Sequence, residues 1–150
     1  MNDRERYMAM ALEEAEAALA QGDVPVGAVI VCGGEVIARA HNERELTGDP
    51  TAHAEVLALR RAAKRLGRRR LQGCSLYVTL EPCPMCAGAL VMAGVDEVCF
   101  GAYDERCGCA GSLYALTEDP AFGHCAQALG GLMEDACTQQ LKAFFEQCRE

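Results

Sequence analysis

A histidine, a glutamate and two cysteines carry the most pointed chemistry in this chain. Thr51-Ala52-His53-Ala54-Glu55 sets His53 and Glu55 two residues apart, and the stretch from Thr79 to Gly88 sets Cys83 and Cys86 three apart behind Glu81-Pro82. Proline suits the first position of a helix, so Pro82 predicts Cys83 and Cys86 in a helix's opening turns, after a short apolar strand over 75–80. Residues three apart share a helix face, so both sulfurs can point at one object. Zinc is the object that two thiolates suit best, and unpaired N–H groups at a helix start favour the thiolate form. His53 and Glu55 would diverge by about 200° in mid-helix. In a first turn capped by Thr51, after Asp49-Pro50, both can flank a site beyond the helix end. His53 is then the third ligand and the fourth position stays open for water, which is the catalytic rather than the structural arrangement of zinc. A carboxylate such as Glu55 beside that water is placed for general acid/base work.

Duller readings compete. Cys83 and Cys86 alone could be a redox pair, although His53-Ala54-Glu55 would then go unexplained. Cys107-Gly108-Cys109 could join them in a closed four-cysteine site. His53 alone would be a core or capping histidine, Glu55 a first-turn acid, and Asn42 a turn residue.

The elements that must position these groups alternate between helix and strand. Residues 3–20 read as an amphipathic helix with Met8, Leu12, Ala15 and Leu19 on its apolar stripe, ended by Gln21-Gly22. The run 24–31 reads as a buried central strand, and Gly33-Gly34 as a hairpin into a strand over 35–40. A polar loop over 42–50 leads to the His53 helix, which runs to about Leu66. The cysteine helix reaches about Ala93, where Gly94 stops it. A strand over 96–101, a loop over 102–112, a short helix over 113–116, a weak strand over 124–129 and a closing helix over 132–147 complete the pattern. Such alternation predicts one α/β domain over 1–150, a three-layer α/β/α sandwich. Its roughly five-stranded sheet is mixed, because the hairpin pair is antiparallel.

Bulk properties narrow the function classes. The chain is 150 residues long, 51% hydrophobic, with a net charge of −8 and ten cysteines. No stretch is long and apolar enough for a membrane span, and Met1-Asn2-Asp3-Arg4-Glu5-Arg6 is too charged for a secretory leader, which predicts a cytoplasmic location. A reducing compartment argues against a disulfide framework. Half of the 14 basic residues (Arg60, Arg61, Lys64, Arg65, Arg68, Arg69 and Arg70) fall in one stretch. They read either as a solvated helix face or as a phosphate-contacting patch.

Taken together, these residues resemble the cytidine-deaminase-like superfamily, whose signature is a His-x-Glu followed by Pro-Cys-x-x-Cys. Within it the chain resembles the family of bacterial tRNA-specific adenosine deaminases. That likeness rests on Val24-Pro25-Val26-Gly27-Ala28-Val29, Asn42, the stretches 49–55 and 76–83, Phe100-Gly101-Ala102 with Asp104, and Ala110-Gly111-Ser112-Leu113. It implies a homodimer that converts the wobble adenosine of a tRNA anticodon stem-loop to inosine. On this resemblance His53, Cys83 and Cys86 match the zinc ligands, and Glu55 the proton shuttle that lets hydroxide attack C6. Asn42 matches a base-binding asparagine, and Val24 with the Ala54 backbone lines the base pocket. Asp104 and Arg106 match positions that meet the RNA backbone, while His124 and Phe145 fall where the anticodon loop is contacted. The chain departs from the family at Gly123-His124, at Cys107 and Cys109, and in its acidic ending. Two further classes stay open: a deaminase of a free nucleobase or nucleoside (guanine, cytosine or adenosine), and a catalytically silent zinc module.

Overall fold

In the computed structural model, which describes residues 1–148, the chain forms one five-stranded sheet with helices on both sides. Arg149 and Glu150, part of the acidic ending read above, lie outside the described residues. The strands are β1 (Gly27–Cys32), β2 (Glu35–His41), β3 (Cys74–Leu80), β4 (Glu97–Ala102) and β5 (Gln127–Leu129), in the spatial order β2-β1-β3-β4-β5. β1 is antiparallel to β2 and β3, while β3–β4 and β4–β5 are parallel, so the sheet is mixed as expected. Gly33 and Gly34 make the β1–β2 turn with φ of 59° and 79°, a pair of left-handed residues whose twist suits a two-residue hairpin.

Strand alternation divides the core. Val29, Val31, Tyr77 and Cys99 face one side, against Tyr7 and Met10 of helix α1 (Asp3–Ala20). Ala28, Ile30, Leu76, Val78 and Val98 belong to the cluster that takes in Ala58, Leu59 and Ala62 of α3 (Ala54–Leu66) and Leu90 of α4 (Pro84–Ala93). Burying an Ile30 or a Leu76 contributes about 1.5–3 kcal/mol each. Helix α5 (Glu134–Gln147) lies on β4 and joins α1 through a Gln140 Nε2 bond to the Leu12 carbonyl. A four-residue helix, α2 (Arg44–Thr47), completes the set.

Four local expectations shift. The buried stripe of α1 is Met8, Ala11, Ala15 and Ala18, not one that includes Leu12 and Leu19. The reason is Gly27: a Cβ there would overlap the backbone of Ala11 and Ala15, so the helix rides on β1 where only small side chains fit. Residues 42–50 are not all loop, because the buried Asp23 carboxylate accepts the Glu45 and Leu46 amides at 2.7 and 3.2 Å and starts α2 from 22 residues away. The helix expected over 113–116 is replaced by two 3₁₀ turns, Leu116–Glu118 and Pro120–Phe122. The last strand shrinks to Gln127–Leu129.

Two of the seven basic residues in that stretch are taken up by the edge of the sheet. Arg61 donates to the Arg39 carbonyl at 2.7 Å, and Arg65 to the Val36 and Ile37 carbonyls at 3.3 Å, on the outer edge of β2. Arg65 also pairs with Glu35 at 2.7 Å. Cations that cover a strand's free carbonyls deny that edge to another strand.

Candidate active site

The chemistry expected of the sequence gathers where β3 ends and two helices begin. His53 is the N-cap of α3 and Cys83 the N-cap of α4, each with extended backbone and neither side chain making a capping hydrogen bond. The expected helix starts therefore move. Thr51 does not cap α3; its amide and hydroxyl both bind Asp49 Oδ1, at 2.8 and 2.7 Å. Pro84, not Pro82, holds the first position of α4, which puts Cys83 at the cap and Cys86 in the first turn. The consequence is functional. Side chains at both caps are free to turn away from their helices and toward each other.

His53 Nδ1 lies 3.6 Å from Cys83 Sγ and 3.5 Å from Cys86 Sγ. Ligand atoms of these three residues all fall within 4.8 Å of one another, a grouping able to hold a metal ion. Cys107 and Cys109 are not part of that grouping, so the closed four-cysteine alternative is not what the chain builds. Without a metal, the Cys86 thiol bonds to Cys83, and that bond, followed by His53, draws Cys83 down to about 4. The same bond, with burial, pushes Cys86 up, and Cys83 raises His53. Glu55 is the second residue of α3, only 4% exposed, and burial foremost pushes its carboxyl up to about 7.

These groups open onto a cavity of about 180 Å³ lined by Val24, Val26, Asn42, Ala54, Leu80 and Asp104, among others. That is below the roughly 300–1,000 Å³ of drug-sized sites and suits one small ring system. Asn42 is 6% exposed; its Nδ2 donates to the Val24 carbonyl at 3.3 Å and its Oδ1 accepts the Arg44 amide at 3.1 Å. It therefore makes a turn and lines the cavity at once. One amide hydrogen and one lone pair stay available to a ligand. Beyond Val24, Leu80, Asp104 and Cys107 the cavity continues into an open hollow of about 660 Å³, with Tyr103, Arg106, Lys142 and Phe145 on its walls. Asp104 Oδ1 is engaged by its own loop, accepting the Arg106 and Cys107 amides at 3.0 and 3.2 Å.

Of the residues read from the sequence, His124 alone is not brought here. Its Nε2 sits 2.7 Å from the Val95 carbonyl, on a separate hollow with Arg70, Gly88 and Met92. Sequence reasoning missed other residues of the site. Tyr103 and Lys142 carry no motif signal, Val26 and Leu80 were read only within longer stretches, and Glu81 only as part of the Pro-Cys stretch, although its buried carboxylate organises the loop over 104–112.

Comparison with known proteins follows the same lines. Residues 2–138 match the model of the MafB19-like deaminase family. The chain is 49% identical, over its full 150 residues and 93% of the relative, to the tRNA-specific adenosine deaminase of Bacillus subtilis (strain 168). It superposes with a TM-score of 0.87 and 40% identity, over 90% of this chain and 98% of the other, on a structure from work on A-to-I editing by tRNA:A34 deaminases at the wobble position of transfer RNA. A guanine deaminase structure from Bacillus subtilis is 43% identical with a TM-score of 0.64, over 69% of this chain and 66% of that one.

Proposed function

Because the chain belongs to the tRNA-specific adenosine deaminase family, we propose that it hydrolyses the wobble adenosine of a tRNA anticodon stem-loop to inosine, releasing ammonia. One observation carries the reading: a His53–Cys83–Cys86 grouping and a buried Glu55 face one ring-sized cavity that continues into a wider, cation-bearing hollow. A free base needs only the first of these spaces; a nucleotide within a loop needs both.

The donor set fits zinc. Bonds of about 2.05 Å to nitrogen and 2.3 Å to sulfur at a tetrahedral angle require N···S separations of about 3.6 Å. The chain holds them at 3.6 and 3.5 Å. When bound, zinc supplies a Lewis acid that makes water a competent nucleophile near neutral pH. His53, Cys83 and Cys86 would hold it, leaving the cavity side open.

The remaining work falls to the protein. Glu55, buried and within reach of a ring seated against Ala54, takes a proton from the attacking water and delivers it to N1 as the C6–O bond forms. It then moves the proton of the new C6 hydroxyl to the amino group, and the C6–N bond breaks to release ammonia and leave the C6 carbonyl of inosine. Val24, Val26 and Leu80 exclude water from the ring faces, and Asn42 holds one polar edge of the base with its spare hydrogen and lone pair. A base in a loop is already partly unstacked, so it enters at little cost. Asp104, Arg106, Lys142 and Phe145 then meet the flanking nucleotides, with cations toward phosphate and the Phe145 ring toward a base. His124, held by Val95, has no part in this chain's own site.

The reading includes a cytoplasmic homodimer acting as one domain over 1–150. Helix α4 supports pairing, since it carries no charged residue and leaves Met92 81% exposed. Among the described residues no helix is long and apolar enough to cross a membrane. Incubation with a transcript bearing an anticodon adenosine, beside free adenosine, guanine and cytosine, tests the substrate. Inosine in the transcript alone is the expected result. Ammonia only from a free base would move the protein to the nucleobase deaminases, whose fold it also shares.

A further inference from the structure

Glu81 is 2% exposed, an unusual place for a carboxylate that pairs with no cation among the described residues. Its neighbours explain it. Oε1 accepts the Asp104 amide at 3.0 Å and the Ser112 hydroxyl; Oε2 accepts the Ala110 and Ser112 amides at 3.1 and 2.9 Å. All four are donors, and a carboxylate is the one side-chain group whose lone pairs can receive four at once. Burial alone would raise this carboxyl, but the Ser112 hydroxyl and then the three amides outweigh it, so it sits below the ordinary range. Gly108 closes the fit: a Cβ there would overlap both the Glu81 carboxyl carbon and the Asp104 carbonyl oxygen. The same loop is fastened beside Cys83, where the Cys109 amide donates to the Pro82 carbonyl at 2.8 Å.

Glu81 thus stands two residues before Cys83 and grips both ends of the segment whose Asp104 and Cys107 line the cavity and the hollow beyond it. We propose that Glu81 is a positioning residue, which fixes the loop over 104–112 against the metal-ligand helix as the wall that receives the nucleotides beside the target base. The inference rests on the RNA reading above and assigns Glu81 a role in substrate binding rather than in the chemical step. Its action passes through Asp104 and the loop; it need not touch the reacting atoms.

Glu81→Gln is the discriminating variant, because it keeps shape and volume. Its carbonyl can replace Oε2 and keep the Ala110 and Ser112 amides, while the Ser112 hydroxyl reverses to accept. The new NH₂ then faces the Asp104 N–H, donor against donor. Hydrogen exchange is expected to quicken at Asp104 by tenfold or more, with Ala110 and Ser112 still protected and metal per chain unchanged. KM for an anticodon stem-loop is expected to rise about tenfold with kcat within about threefold, the scale of one lost charge-assisted hydrogen bond. A freed Asp104 amide with unchanged KM would overturn the role. So would a fall in kcat matched by loss of folded protein or metal, which is the behaviour of a merely structural residue. Should Glu81→Gln not fold, Ser112→Ala removes one donor, leaves the carboxylate in place, and carries the same comparison. A wild-type protein inactive on the stem-loop overturns the RNA reading instead, and KM is then compared on whichever base the wild type consumes.

Discussion

Replacing Glu55 by glutamine separates catalysis from stability, because the two should move in opposite directions. The side chain is 4% exposed and burial foremost lifts its carboxyl from 4.5 to about 7. A carboxyl whose folded value lies above its unfolded one binds more protons in the native state between those values, so stability falls as pH rises through that window. At pH 8 in metal-free protein the charged Glu55 therefore costs on the order of 3 kcal/mol, and below pH 4.5 it costs nothing. Glu55→Gln removes the ionisation and keeps the volume. Chelator-treated variant should therefore resist urea better than chelator-treated parent at pH 8, with the advantage fading toward pH 4.5. With metal restored, a neighbouring dication favours the carboxylate and the advantage should shrink. Activity should move the other way, falling about 10²–10⁴-fold when general acid/base transfer is lost, with metal content unchanged. Urea unfolding monitored by circular dichroism across that pH range, beside inosine formation, makes the comparison. A variant that is both inactive and less stable at pH 8 would mean that Glu55 holds the site together rather than moving protons, and the reasoning would be wrong.

Three other expectations follow from single distances. Cys83→Ala and Cys86→Ala should each abolish stoichiometric metal, whereas Cys107→Ala should retain it, since Cys107 lies outside the ligand grouping; elemental analysis of dialysed protein decides this. Lys142→Glu and Arg106→Glu should weaken stem-loop binding and make log affinity fall less steeply with log salt, by about one unit per lost phosphate contact, while metal content stays the same. Unchanged salt dependence would remove the hollow from the RNA path. Gly101→Ala should destabilise by about 1–3 kcal/mol, because the added methyl meets Cys137 of α5 and the Thr79 carbonyl at 3.0 Å. Denaturant midpoints measure it, and a neutral result would show that α5 can move off β4.

What the sequence made legible was whatever repeats locally. The apolar runs read over 24–31 and 75–80 become strands over 27–32 and 74–80, and the helix over 3–20 shows itself by its period and by the Gln21-Gly22 that ends it. The grouping able to hold a metal shows itself because Cys83 and Cys86 are three apart and His53-Ala54-Glu55 has few other uses. What it hid depends on partners far along the chain. Nothing near Arg44 announces α2, because its capping carboxylate is Asp23. The buried stripe of α1 cannot be told from its neighbour until Gly27 is known to lie beneath it. The arginine run could be read as a solvated face or a phosphate patch because the carbonyls that Arg61 and Arg65 cover belong to β2, 22 and 29 residues earlier. The helix starts slipped for a related reason: Pro82 and Pro84 are equal candidates for a first helical position until the strand end shows where the chain must turn.

That slip bears on how the centre can exist in a protein of net charge −8. Had Thr51 and Pro82 begun the helices, His53 and Cys83 would lie inside first turns, facing along helix walls. Placed at the caps, they face outward past the unpaired N–H groups of two helix starts, where fixed positive partial charge is concentrated. The Cys86 thiol and then His53 draw Cys83 down to about 4, toward the thiolate that the charge of a helix start also suits. The local field at the ligands is thus set by peptide dipoles a few ångströms away, and the acidic surface, screened over about 10 Å of salt solution, has little say in it. By the same argument the surface should govern RNA approach, so on the proposed RNA path Arg106 and Lys142, the cations that line the hollow among the described residues, should carry more of the binding here than they would on a basic protein. Their charge reversal should therefore cost more affinity at low salt than at high, and a loss independent of salt would point to lost packing against Phe145 instead.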